Sequence, residues 1–168
     1  MPEPREHMRH RNWIETILRY IPGFRGYLEK EYRRESDRLL RTWMGDRIRQ
    51  CKRVTDRLAR DLLEARRITI LPQIDRVRGR LDTLLGRIEG AVAGYSGFFD
   101  YVRVDERLLD RVYEHDLALM QQIETLIQKI ESWQPANLAA EQISTVLDDI
   151  EILERRWDAR THILEGID

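Results

Sequence analysis

A single cysteine, Cys51, stands in 168 residues, so an internal disulfide framework and a zinc site of paired cysteines are both excluded. Glycine and proline are sparse, at 9 and 5 residues, which argues for long helices over turn-rich sheets. No run of eighteen apolar residues occurs, so nothing in the sequence reads as a transmembrane helix. The opening Met1-Pro2-Glu3-Pro4-Arg5 has no apolar stretch of signal-peptide type, and a cytoplasmic protein is the expectation. Catalytic signatures are missing too. Ser96, in Gly94-Tyr95-Ser96-Gly97-Phe98, lacks the glycine spacing of a nucleophile elbow. No glycine run carries the Gly-Lys-Ser/Thr of a phosphate-binding loop. No Glu-x-x-His pair of the kind used by bundle di-metal sites exists. The sequence therefore assigns no catalytic residue, no metal and no cofactor, and leans toward a non-enzymatic protein.

Charge is what the chain has in abundance. Charged residues make up 35% and hydrophobic ones 42%, with a net charge of −1. Residues 1–80 hold 21 Lys+Arg against 12 Asp+Glu, and residues 81–168 hold 8 against 18. Such asymmetry fits an anionic partner for the basic half, or basic helices packed beside acidic ones in one bundle. The second reading is favoured. Arg38, Arg41, Arg49, Arg53, Arg57 and Arg60 make a basic stripe that could follow a phosphate backbone. Glu35, Asp37, Asp46 and Asp56 precede Arg38, Arg41, Arg49 and Arg60 by three or four residues, which reads as intrahelical pairing on a solvated face. With no recognition motif beside it, nucleic-acid binding is a minor alternative.

Apolar periodicity divides the chain into helices. Residues 1–10 are polar and expected to fray, leaving 11–168 as one domain. Trp13, Ile14, Ile17, Leu18 and Ile21 define a short amphipathic helix with basic edges, which suits a bundle cover or an anionic membrane surface. Pro22-Gly23 ends it. A second helix spans about Leu28 to Arg66, with Leu40, Met44, Ile48, Cys51, Leu58 and Leu62 inward and Thr55 in the one polar slot. Pro72 opens a third helix, running to about Val92. Asp105 caps a fourth running to about Ser132, and Asn137 caps a fifth ending near Glu165. The fold expected is all-α: an elongated antiparallel bundle of four long helices plus the short first one. The second helix exceeds the third by about fifteen residues, leaving part of its apolar stripe for the first helix or a second subunit to cover.

Two features stand out from this pattern. The spelling Gly23-Phe24-Arg25-Gly26-Tyr27 returns as Gly94-Tyr95-Ser96-Gly97-Phe98, followed by Phe99 and Tyr101. The two stretches are expected to pack on each other, or to offer Phe24, Tyr27, Tyr95, Phe98, Phe99 and Tyr101 as a partner surface. Asp116 and Glu154 fall inside the apolar arcs of the fourth and fifth helices, each nineteen residues from Pro135. A carboxylate there must be paired, hydrogen-bonded or protonated. Arg33, Arg47, Arg66 or Tyr113 could supply the partner. The readings, in order, are a structural polar layer, a ligand pocket and a metal site. The function expected is an interaction or scaffold protein with a protein partner or a second copy. A ligand-binding or enzymatic bundle, or a peripheral membrane protein, is the alternative.

Overall fold

The computed structural model describes residues 4–90 and 105–165, with side chains over 12–90 and 105–164. It is an all-α bundle, and no strand occurs among the described residues. Helix α1 is Pro4–Tyr20, α2 Lys30–Glu64, α3 Leu71–Gly90, α4 Glu106–Glu131 and α5 Ala140–Glu165, with a 3-10 turn at Ile68–Ile70 before α3. No described helix is long and apolar enough to cross a membrane. Helix α1 starts at Pro4 rather than Arg11; proline's fixed φ and missing N–H suit a first helical position. The stretch holding Tyr95, Phe98, Phe99 and Tyr101 lies outside the described residues, and so does its expected contact with Phe24 and Tyr27.

Helix ends follow local chemistry. Asp105 caps α4, its carboxylate accepting the Arg107 N–H at 2.9 Å. Helix α5 begins later than Asn137 would set it, at Ala140, where Gln142 Oε1 reaches back to the Ala139 N–H at 2.8 Å. Helix α2 closes on a left-handed residue, Arg66 at φ 59°, with Arg67 N–H bonded to Leu62 O at 2.9 Å and Arg66 N–H to Leu63 O at 3.0 Å. That pair of bonds satisfies the last carbonyls of α2 and fixes the exit of the chain. Arg66 is thus exposed at a turn and does not belong to a polar layer.

The four long helices form a ring in which α2 borders α3 and α4, and α5 borders α3 and α4. Cross-helix pairs give the directions. Asp56 with Arg78 and Lys52 with Asp82 set α2 antiparallel to α3. Arg47 meets Glu124, and Gln50 meets Glu131, so α2 and α4 run parallel. Arg80–Glu154 and Arg87–Asp158 do the same for α3 and α5. Leu40, Met44, Ile48, Ile74, Leu81, Ile88, Met120, Ile123, Ile150 and Leu153 fill the core, all buried. Each such side chain contributes about 1.5–3 kcal/mol relative to exposure. Thr55 is fully buried without penalty because its hydroxyl bonds the Lys52 carbonyl at 2.8 Å.

Helix α2 has 35 residues and α3 only 20, and α3 reaches its end where Glu89 meets Arg49. The remaining half of α2 is covered within the chain. Ile17, Ile21, Phe24 and Tyr27 are buried, the Tyr20 ring meets the Trp43 edge at 5.8 Å, and Leu40 and Met44 are closed off. This stretch is therefore not left open for a second subunit. Arg66 supplies the stability test here. A non-glycine residue in the left-handed region costs about 1–2 kcal/mol, so Arg66→Gly is expected to raise stability by about 0.5–1 kcal/mol in denaturant unfolding. A loss of stability would contradict this account of the α2 terminus.

Candidate functional site

Past the described end of α3, a cluster of polar side chains joins α2, α4 and α5. Asp116 of α4 is fully buried, and Arg160 of α5 places its Nε 2.6 Å from Asp116 Oδ1. The other oxygen, Oδ2, accepts the Tyr27 hydroxyl at 2.6 Å. Arg160 Nη2 lies 3.2 Å from that same hydroxyl and 2.8 Å from Oδ1 of Asp37 on α2. Arg41 Nε holds the second oxygen of Asp37 at 2.8 Å. Two arginines thus balance two aspartates, with Arg160, Asp116 and Asp37 buried and Arg41 partly exposed at the edge. The Trp157 ring lies 5.3 Å from the Arg160 guanidinium carbon, adding a cation–π contact.

Tyr27 enters this cluster from the connection between α1 and α2, and two glycines bring it there. Gly23 and Gly26 sit at φ 88° and 79°, open to glycine at little cost. At Gly26 a Cβ would fall 2.5 Å from the Tyr113 hydroxyl and 3.2 Å from Ile14. The close approach lets the Tyr27 N–H donate to Tyr113 Oη at 2.7 Å, while the two rings stack at 5.4 Å. Phe24 abuts Tyr27 edge-on at 5.6 Å, and Trp13 of α1 tilts against Tyr113 at 6.4 Å. Such ring pairs add about 0.5–1.5 kcal/mol each beyond burial. Arg33, 1% exposed, donates from Nε to the Tyr27 carbonyl at 2.7 Å and from Nη2 to the Leu28 carbonyl at 3.3 Å.

The residues singled out in the sequence divide accordingly. Asp116, Tyr113 and Arg33 come together. Glu154 does not join them: it pairs with Arg80 across α3 and α5, Nη2 to Oε2 at 2.6 Å. Arg47 instead forks onto Glu124 with contacts of 2.6 and 2.7 Å. The α4–α5 register explains Glu154. The pairs Asp116–Arg160 and Lys129–Asp149 are centred on Leu138 and Ala139, beyond Pro135, because α5 starts at Ala140. Phe24 and Tyr27 are 2% and 0% exposed, so they are core and not partner surface. Asp37, expected on a solvated face, is buried beneath Arg160. Arg160 itself was not singled out. The signal was the seven-residue step from Trp157 to Leu164 on the inward face of α5, where Arg160 fills the empty slot.

No group of described residues could hold a metal ion. No protein-family model matches the chain, and neither a curated protein nor a solved structure resembles it significantly.

Removing one partner of a buried ion pair leaves the other uncompensated and costs about 3–5 kcal/mol. Asp116→Ala and Arg160→Ala are each expected to lose about that much, with the double variant losing far less than the two combined. Additive losses in the double-mutant cycle would show that the two charges are not coupled.

Alkaline pH tests the same cluster differently. Burial, then the Asp116 charge, pushes the Tyr27 phenol well above its ordinary 10.0, and burial also raises Tyr113. Burial pushes the Cys51 thiol up to about 12 from 9.0. All three bind their protons more tightly folded than unfolded, so their stabilisation is complete below the unfolded values and lost as pH rises. Stability should hold to about pH 9 and fall between 9 and 12, with the Tyr27 and Tyr113 tyrosinate absorbance appearing only on unfolding. Normal titration of every tyrosine in the folded protein would refute this.

Proposed function

We propose that this chain is a non-catalytic interaction module that associates with a second copy of itself. The observation that carries the reading is the saturation of its buried acid. Both oxygens of Asp116 are engaged by side chains of the same chain, Arg160 and Tyr27, in a fully buried setting. A general acid or base needs a free site within hydrogen-bond reach of substrate. The acids of Asp37 and Glu154 are likewise held by arginines. This chemistry serves cohesion.

A surface for the second copy lies at the turn from α2 to α3. Leu63 and Ile68 are 59% and 58% exposed, beside a cleft of about 470 Å³ floored by Ala59 and Leu71. Asp56, Arg60, Asp75 and Arg78 edge the cleft. An apolar centre edged by both charge signs suits a twofold contact between identical surfaces, because each acid can face a base on the other copy. Light scattering is expected to give about twice the monomer mass of 20.2 kDa. Leu63→Glu with Ile68→Glu should return the monomer mass with unchanged helical circular dichroism. A concentration-independent monomer mass for the parent chain would overturn self-association.

A further inference from the structure

The basic stripe of α2 is not uniform. Arg38 is held by Glu35, Arg41 by Asp37, Arg47 by Glu124, Arg49 by Asp46 and Glu89, and Lys52 by Asp82. The pattern then stops. Arg53, Arg57 and Arg60 are exposed and form no ion pair among the described residues. Asp56, which stands four residues before Arg60, is turned across to Arg78 at 2.7 Å. Like charges three and four residues apart on a helix repel, so this segment keeps a repulsion that the rest of α2 neutralises.

The three arginines also share a concavity. Helix α4 ends at Glu131, level with Gln50, whose amide bonds Glu131 Oε1 at 2.9 Å, while α2 runs on to Glu64. The step leaves a cleft of about 420 Å³ lined by Gln50, Arg53, Val54, Arg57, Arg60 and Glu131. That size lies within the range of small-ligand sites. The positive strip is only about 10 Å long at helical rise. It is too short to track a nucleic-acid strand, and Glu131 stands at its wall against a longer polyanion. Three planar guanidiniums match the oxygens of phosphate in forked contacts, and three positive charges match a diphosphate better than a dicarboxylate.

We propose that this cleft binds a small oligophosphate anion, with Arg53, Arg57 and Arg60 gripping its phosphate groups. The ligand supplies the negative charge that acids of α2, α3 and α4 provide to the other cations of α2. Glu131 of α4, with Gln50 hydrogen-bonded to it from α2, is placed to meet hydroxyl or amino groups of whatever the phosphates are attached to. A monomer carries all six lining residues, and Arg60 also borders the cleft at the α2–α3 turn.

Calorimetric titration of the purified chain with inorganic pyrophosphate tests this, with ADP in a second arm and sodium sulfate at matched ionic strength as control. Saturable binding of one pyrophosphate per chain is expected, at least about tenfold tighter than sulfate. Arg57→Gln should weaken it about tenfold or more, and Arg53→Gln/Arg57→Gln/Arg60→Gln should abolish it. Because the three side chains are exposed and mutually repulsive, that triple variant should melt no lower than the parent, which separates lost binding from lost folding. Tighter binding of ADP than of pyrophosphate would add a contact at Glu131 to the same site. Sulfate binding as well as pyrophosphate, or unchanged binding by the triple variant, would overturn the proposal. So would binding of duplex DNA or phosphatidylserine vesicles without binding of pyrophosphate.

Discussion

Arg160 is the constraint on which this end of the bundle depends. A guanidinium with no exposure to water must find negative charge and hydrogen-bond acceptors, or the helix carrying it cannot pack. Burial alone would drive its pKa down, yet Asp116 and Asp37 more than offset this and hold it well above the ordinary value. The two carboxylates come from α4 and α2, and the Tyr27 hydroxyl from the α1–α2 connection. Satisfying one side chain therefore positions four segments of the chain at once. Such an arrangement specifies geometry more than it stabilises, since well-packed apolar residues of similar volume can do as well energetically.

This cluster lies past the described end of α3. Along the first part of the bundle, α2 and α5 are separated by α3 on one side and α4 on the other. Past Gly90, the last described residue of α3, the Arg160–Asp37 contact at 2.8 Å joins α5 directly to α2. At the opposite end a second arginine does a related job: Arg67 donates to the Pro135 and Leu138 carbonyls, both at 2.7 Å, joining the two turns. Between these ends, Arg47–Glu124 and Arg80–Glu154 join helices of the basic half to helices of the acidic half. The uneven charge of the sequence is in large part the charge of neighbouring helices.

Apolar periodicity made the five helices and most of the core legible, because a stripe at steps of three and four has one stable destination. Asp116 was legible for the same reason, as an acid in an apolar arc. Its partner was not, because periodicity records where apolar residues recur and passes over a polar residue in the same arc. Asp37 was hidden by a real intrahelical pair with Arg41, which gave it a sufficient explanation on one helix. Glu154 was misplaced because hairpin register depends on where α5 begins, and the Gln142–Ala139 cap moved that start past Asn137. Asp56 was assigned to Arg60 by spacing, but interhelical Arg78 wins it, because α3 lies alongside. Local rules name the candidates for a charge; the neighbouring helix decides among them.

The same competition separates the two kinds of polar group that this chain exposes to selection. In the buried cluster an exchange of partner would strand a charge without water, so the groups are held to one another. Arg53, Arg57 and Arg60 are in the opposite condition. Water solvates them, so leaving them unpaired has a small cost, a few tenths of a kcal/mol per like-charged pair. An anion arriving there displaces only solvent and relieves that repulsion. Binding at this place thus needs no rearrangement of the bundle, whereas binding at Asp116 would require the junction of α2, α4 and α5 to open. Chemistry that must reach an outside molecule is expected on the helix surfaces, where the fold leaves its charges uncompensated.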